Sequence, residues 1–156
     1  MVLIPKGKRD YCGIFLVEVM WKVVASILNH GLTASITFHN FLHGFRAGCG
    51  TGTATLGDKL LQHLAAFRGE FLYVIFLVLH KACDALDRSR CLEILEGYCV
   101  GPQACWLLRT YWIRMRMVAK AGVYYGLLFK GARGGTQVDP LSPTIFNLVV
   151  NVVVQH

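Results

Sequence analysis

FLYVIFLVLHKACDALDRSRCLEILEG, residues Phe71 to Gly97, contains the change of periodicity that decides the fold. Its first part, Phe71 to Leu79, is an unbroken apolar run rich in aromatic and β-branched residues. It stops at a polar segment, so it predicts a short buried strand. Asp87 then stands where a side-chain oxygen can accept from free amides at a helix start. It predicts a helix from Arg88 to about Glu96, with Gly97 as its stop. A strand leading through a turn into a helix places this stretch in a mixed domain.

Working outward, Gly101-Pro102 opens a further helix, because proline at the first turn loses no bonded N–H. That helix carries Trp106, Leu107, Tyr111 and Trp112. Met117 to Ala121 and Tyr125 to Phe129 predict two short strands joined around Gly122. Gly131 to Asp139 predicts a loop, and Pro140 begins a last helix from Leu141 to about Val154. On the other side, Thr55 to Phe67 aligns Leu56, Leu60, Leu61 and Leu64 on one helical stripe. Phe41 to Thr53 is glycine-rich and predicts a loop. Val17 to Leu28 is apolar on most faces and predicts a buried helix stopped near Gly31. Residues 1 to 13 are basic and Gly/Pro-punctuated and predict a loop. Helices and strands mix without regular alternation, which makes the expected class α+β.

The 156 residues are 54% hydrophobic. The longest apolar run, Phe71 to Leu79, falls far short of the ~20 residues that span a bilayer as a helix. MVLIPKGKRD has no apolar segment after its charges, so no secretory leader is expected and the chain reads as intracellular. The net charge of +7 favours an anionic partner, of which nucleic acid is the commonest. The basic residues group at Lys6, Lys8 and Arg9 and at Arg109, Arg114, Arg116 and Lys120; a solvated basic surface fits them equally. The six cysteines include no C-x-x-C pair, and an intracellular setting disfavours disulfides. His39 and His43 have helix-face spacing but no glutamate follows His39, so no zinc site is expected.

Three stretches taken together carry a resemblance. They are HGFRAGCGTGTA (His43 to Ala54), YVIFLVLHKACDALDR (Tyr73 to Arg88) and GGTQVDPLSPTIFN (Gly134 to Asn147). Their order and spacing are similar to the reverse transcriptases of non-LTR retroelements and related intron-encoded enzymes. PKGKRDYCGI, Pro5 to Ile14, resembles the first fingers motif of that family. The resemblance covers nearly the whole chain. It implies a partial right-hand polymerase, with residues about 1–70 fingers-like and about 71–156 part of the palm. An incomplete antiparallel palm sheet with packed helices is expected, and no thumb. The activity implied is RNA-directed DNA polymerisation, with an RNA template, a DNA primer, dNTP and Mg²⁺ as partners and cofactor.

That chemistry needs two metal ions on one triphosphate, held by carboxylates on a rigid element. In the family the first is an Asp in a pattern like F-x-D-x-x-K-A-F/Y-D. The matching residues here run from Phe76 to Asp84, and Val78 takes the metal position. An isopropyl group offers no oxygen to Mg²⁺. Asp84 is the remaining candidate, and a turn or helix-capping role fits it as well. The resemblance makes Lys6, Arg9, Cys83 and Gln137 nucleotide-binding residues, and Arg46, Pro140 and Ser142 template contacts. Cys83 replaces the aromatic ring that screens the sugar, leaving space beside a 2′-hydroxyl. Val138 replaces the glycine of TQGDPLSP; at a positive φ it would cost about 1–3 kcal/mol. Asn151 stands where many relatives carry Asp.

The Asp-Asp hairpin that supplies the second carboxylate is expected beyond His156. Cys12 and Cys49 stand where Arg is expected, and Cys99 where glycine often lies. Each is one base change away, the pattern of a decaying reading frame. The expectation is therefore a fragment of a retroelement reverse transcriptase, inactive as it stands, whose uncovered palm strands self-associate. A non-catalytic, basic nucleic-acid-binding remnant and a translated relic without function are the alternatives.

Overall fold

The computed structural model describes residues 1–5, 11–14, 16–131, 133–136 and 138–155, with the backbone alone for residues 3–5 and 11–13. Lys6, Arg9 and Gln137 lie outside the described residues, as does the side chain of Cys12. The element order is β1 (Val2–Pro5), β2 (Tyr11–Ile14), α1 (Val19–Ser35), α2 (Thr51–Arg68), α3 (Ala82–Ala85) and α4 (Arg88–Gly97). Then come α5 (Pro102–Arg114), β3 (Met117–Ala121), β4 (Tyr124–Phe129) and α6 (Ser142–Gln155). The mixture agrees with the α+β expectation.

A four-stranded sheet runs in the order β2-β1-β3-β4. β1 pairs antiparallel with β2, parallel with β3 at Val2 and Lys120, and β3 pairs antiparallel with β4. Gly122, at φ 61°, takes the first position of the two-residue β3–β4 loop. Glycine enters that conformation without a Cβ clash, which is why two-residue hairpins use it there. The N-terminal loop expectation is corrected: residues 2–5 and 11–14 are strands. Val2-Leu3-Ile4 has strand-forming side chains, and Met1 anchors the strand by donating from its N to Val118 O (2.7 Å) and accepting from Lys120 N (2.8 Å).

The core lies among α1, α4, α5 and α6. Leu95, Leu108, Leu141, Leu148 and Ala25 are fully or almost fully buried within it. α1 offers it one stripe, Trp21, Ala25, Leu28 and Leu32, at helical spacing. Val19, Met20, Val23 and Ile27 on its other faces are exposed, so the helix is half-covered rather than buried all round. Gly31 does not stop it; Leu32 packs beyond and the helix continues to Ser35. α6 enters the core by a polar row as well as an apolar one. Thr144 donates to Asn29 Oδ1, Asn147 Nδ2 to Gly44 O (2.7 Å), and Asn151 Nδ2 to Tyr98 Oη (2.6 Å), while Asn151 Oδ1 accepts from His39 N (2.8 Å).

Two elements differ from expectation in their surroundings. α2 forms, and its leucine stripe is in register, but none of its residues is buried. Phe71 to Leu79 is the larger correction: it forms no strand and is exposed along its length. A strand needs a ladder partner for its amides, and no described strand runs beside this segment.

Helix ends follow backbone chemistry. Asp87 Oδ1 accepts from Ser89 N (2.9 Å) and Arg90 N (3.2 Å), capping α4 as expected. α2 closes at Gly69, φ 68°, with Gly69 N donating to Ala66 O and Glu70 N to Ala65 O. α4 closes by the same pair of bonds two residues past Gly97: Cys99 N donates to Glu96 O and Val100 N to Leu95 O, with Cys99 at φ 57°. A side chain is strained there. Cys99→Gly is therefore expected to raise stability by about 1 kcal/mol, read as a higher urea midpoint at unchanged slope.

Candidate functional site

Two loops meet between α3 and the start of α6. Gly134 N donates to Leu86 O (2.8 Å) and Gly135 N to Cys83 O (3.0 Å). The approach is closer than a side chain allows: a Cβ on Gly134, at φ 86°, would stand 2.9 Å from Asp84 O. A Cβ on Gly135 would stand 2.9 Å from Ser142 Oγ. Arg88, on the first turn of α4, clamps the same loop. Its Nη1 donates to Gly131 O (2.7 Å), its Nε to Gly134 O (2.9 Å) and its Nη2 to Arg133 O (3.4 Å). Burial of this guanidinium lowers its pKa. It holds backbone here.

Asp139 ties the loop to the helices. Its carboxylate is buried; Oδ2 accepts from Trp21 Nε1 (2.9 Å) and Thr136 Oγ1 (3.1 Å), and Oδ1 from Leu141 N (3.0 Å). Three donors satisfy a charge that burial alone would make costly. The Trp21 indole lies flat on the Tyr111 ring, with centroids 3.5 Å apart and planes within 1°. Burial, reinforced by the Asp139 charge, pushes the Tyr111 phenol up to about 12.

The expected site residues are placed unevenly. Val78 sits on the 71–79 segment and is 94% exposed. Asp84 lies in α3 and lines a cleft of about 170 Å³ with Arg88, Arg133 and Thr136. Cys83 is half-buried, and burial followed by the neighbouring Asp84 pushes its thiol up. Ser142 is buried against Gly135, and Pro140 is half-buried two residues before it. The junction thus brings Cys83, Asp84 and Ser142 to one place, through Gly134 and Gly135. Arg46 belongs to a separate loop. Its Nη1 donates to His39 O (2.9 Å) and Leu42 O (2.8 Å), and its guanidinium lies 5.8 Å from the Phe38 ring centroid. Asn147 and Asn151 fasten that loop to α6.

Sequence reasoning gave no role to Arg88, Trp21, Asn147 or the Gly134-Gly135 pair. The two asparagines left a trace: polar residues four apart on one row of an otherwise apolar helix. Trp21 and Asp139 lie 118 residues apart, and nothing local marks that bond.

No family model matches the chain. The chain is nevertheless similar to a protein of mobile genetic elements. Over 158 aligned residues, covering 96% of its length, it is 30% identical to the Retrovirus-related Pol polyprotein from type-2 retrotransposable element R2DM of Drosophila melanogaster. It spans 15% of that polyprotein. The likeness supports a retroelement origin for the chain.

Gly134→Ala is expected to destabilise the fold by about 1–3 kcal/mol, because it adds a strained φ and a clash with Asp84 O; denaturant titration measures it. Alkaline pH is expected to unfold the chain. Tyr111 at about 12 and Cys91 at about 11 both stand above their ordinary values of 10.0 and 9.0. The unfolded chain releases those protons first, so stability is full below pH 9 and falls as pH rises to 12. Circular dichroism across that range should show the loss, and Tyr111→Phe should shift its upper part to higher pH.

Proposed function

We propose that the chain is part of a reverse-transcriptase domain of the non-LTR and group II intron-like kind, and that it does not itself carry out nucleotidyl transfer. Residues about 1–70 correspond to fingers and about 71–156 to part of the palm. The observation that carries the reading is the junction. The KACDALDR and GGTQVDPLSP stretches, far apart in sequence, meet through Gly134, Gly135 and Arg88 as one packed unit. In a polymerase these two stretches together form the floor beneath the incoming nucleotide.

On this reading Lys6, Arg9, Cys83 and Gln137 face the dNTP, and Pro140 faces the template. Arg46 and Ser142 serve the template strand through the loops they hold, since Arg46 donates to His39 O and Leu42 O and Ser142 packs on Gly135. RNA template and DNA primer are the partners. The family's Mg²⁺ does not fit here: Val78 contributes carbon where an oxygen donor is required. Asp84 stands six residues beyond that position, in α3. No step through a metal is therefore assigned to this chain. A second copy of the chain is a further partner, drawn by the exposed 71–79 run, which pairs with no described strand and offers apolar side chains.

Purified chain given an RNA template, a DNA primer, dNTP and Mg²⁺ is expected to extend no primer. Chelator-sensitive extension would overturn the inactivity. The family assignment is tested separately in the coding DNA after residue 156. It is expected to encode an aromatic–Ala–Asp–Asp segment, in frame or shifted; its absence from every frame would count against the assignment.

A further inference from the structure

Residues 51–80 bury none of their side chains. α2 forms the first part of this stretch. The second part, Phe71 to Leu79, belongs to no helix or strand and pairs with no described strand. Phe71, Tyr73, Phe76 and Leu77 are each more than four-fifths exposed. A protease takes its substrate as an extended strand and bonds the backbone itself, so helices and sheets must open locally before they are cut. Other exposed apolar side chains do not meet that condition. Phe67 lies in α2 and Leu127 within the β3–β4 hairpin. Phe41 and Phe45 lie in a loop that is fastened down. Asn151 Oδ1 accepts from His39 N, Asn147 Nδ2 donates to Gly44 O, and Arg46 Nη1 spans His39 O and Leu42 O.

The segments before and after the run grip each other without it. Met1 N donates to Val118 O and Met1 O accepts from Lys120 N, and β1 pairs with β3 beside them. Trp21 Nε1 donates to Asp139 (2.9 Å), and the Trp21 indole stacks on Tyr111. Asn29 accepts from Thr144 across α1 and α6. Ala25 and Leu32 of α1 are buried in the core that α4, α5 and α6 complete. A break between residues 71 and 79 touches none of these contacts and uncovers no buried side chain.

We propose that Phe71 to Leu79 is a processing site for an endoprotease whose specificity pocket takes aromatic or large aliphatic side chains, and that the cut leaves a two-chain protein with its core intact. Exposed segments outside regular structure are where nicking concentrates. In the cut, water adds across one peptide bond. The C–N bond breaks, the hydroxyl goes to the carbonyl carbon and the proton to the leaving amine. Nothing in this depends on the polymerase reading, and it survives that reading's failure.

The test is limited digestion of the full chain with chymotrypsin, at a dilution that separates copies of the chain, followed by intact-mass measurement. The first cut is expected after Phe71, Tyr73, Phe76 or a leucine of the run. On a native sizing column the two pieces should elute together at the position of the uncut chain, and they should separate in denaturant. The near-ultraviolet dichroism of the Trp21–Tyr111 stack should survive the cut. Phe71→Ser with Tyr73→Ser and Phe76→Ser should slow the first cut about ten-fold, because the specificity pocket loses its aromatic group. Tyr124→Ser, an exposed change on β4, should leave the rate as it was. The far-ultraviolet dichroism of each variant should match the parent, which separates a lost cleavage site from a changed fold. The proposal is overturned by any of three results: a first cut outside residues 70–80, pieces that part on the native column, or a triple variant cut at the parental rate.

Discussion

The structure hinges on one buried carboxylate. Asp139 receives the Trp21 indole N–H, the Thr136 hydroxyl and the Leu141 amide. Those bonds connect α1, the loop before α6 and Leu141 at the threshold of α6; through the Trp21–Tyr111 stack they reach α5 as well. A charge so placed is stable only while its donors stay in position, since an unpaired buried carboxylate is far costlier than the bonds it makes are worth. α1, α5 and α6 are thereby tied to one another through a single loop.

The same loop joins the two motifs on which the functional reading depends. Gly134 and Gly135 allow its backbone to lie within bonding distance of residues 83–86, and Arg88 draws in the carbonyls on its outer side. Val78 stands outside this junction. It lies on a segment that contributes nothing to the buried core, so its side chain can change without cost to the packing. Asp139, by contrast, is buried and accepts from three donors.

Local signals in the sequence proved reliable. The Asp87 cap, the Pro102 helix start, the Gly122 hairpin and the α2 leucine stripe all depend on neighbours within a turn or two. What failed depended on partners far along the chain. Phe71 to Leu79 has strand chemistry but no described neighbour to form a ladder with, and Val2 to Pro5 becomes a strand by docking on β3. Gly31 was misread because its local cost is smaller than the gain from burying Leu32 beyond it. The site divides in the same way. Motif spacing names Val78 and Cys83 as candidates, whereas the contacts of Arg88, Arg46 and Asn151 emerge only from distances.

Because α2 buries none of its residues, its eighteen-residue length must sustain itself largely on intrinsic helicity and the Gly69 closure. Helices of that size without tertiary support sit near the balance point between ordered and coil states in water. Its amides would then trade protons with solvent far sooner than those of α6. Along a single polypeptide, one helix would report the coil equilibrium of a peptide and another the global unfolding of a domain.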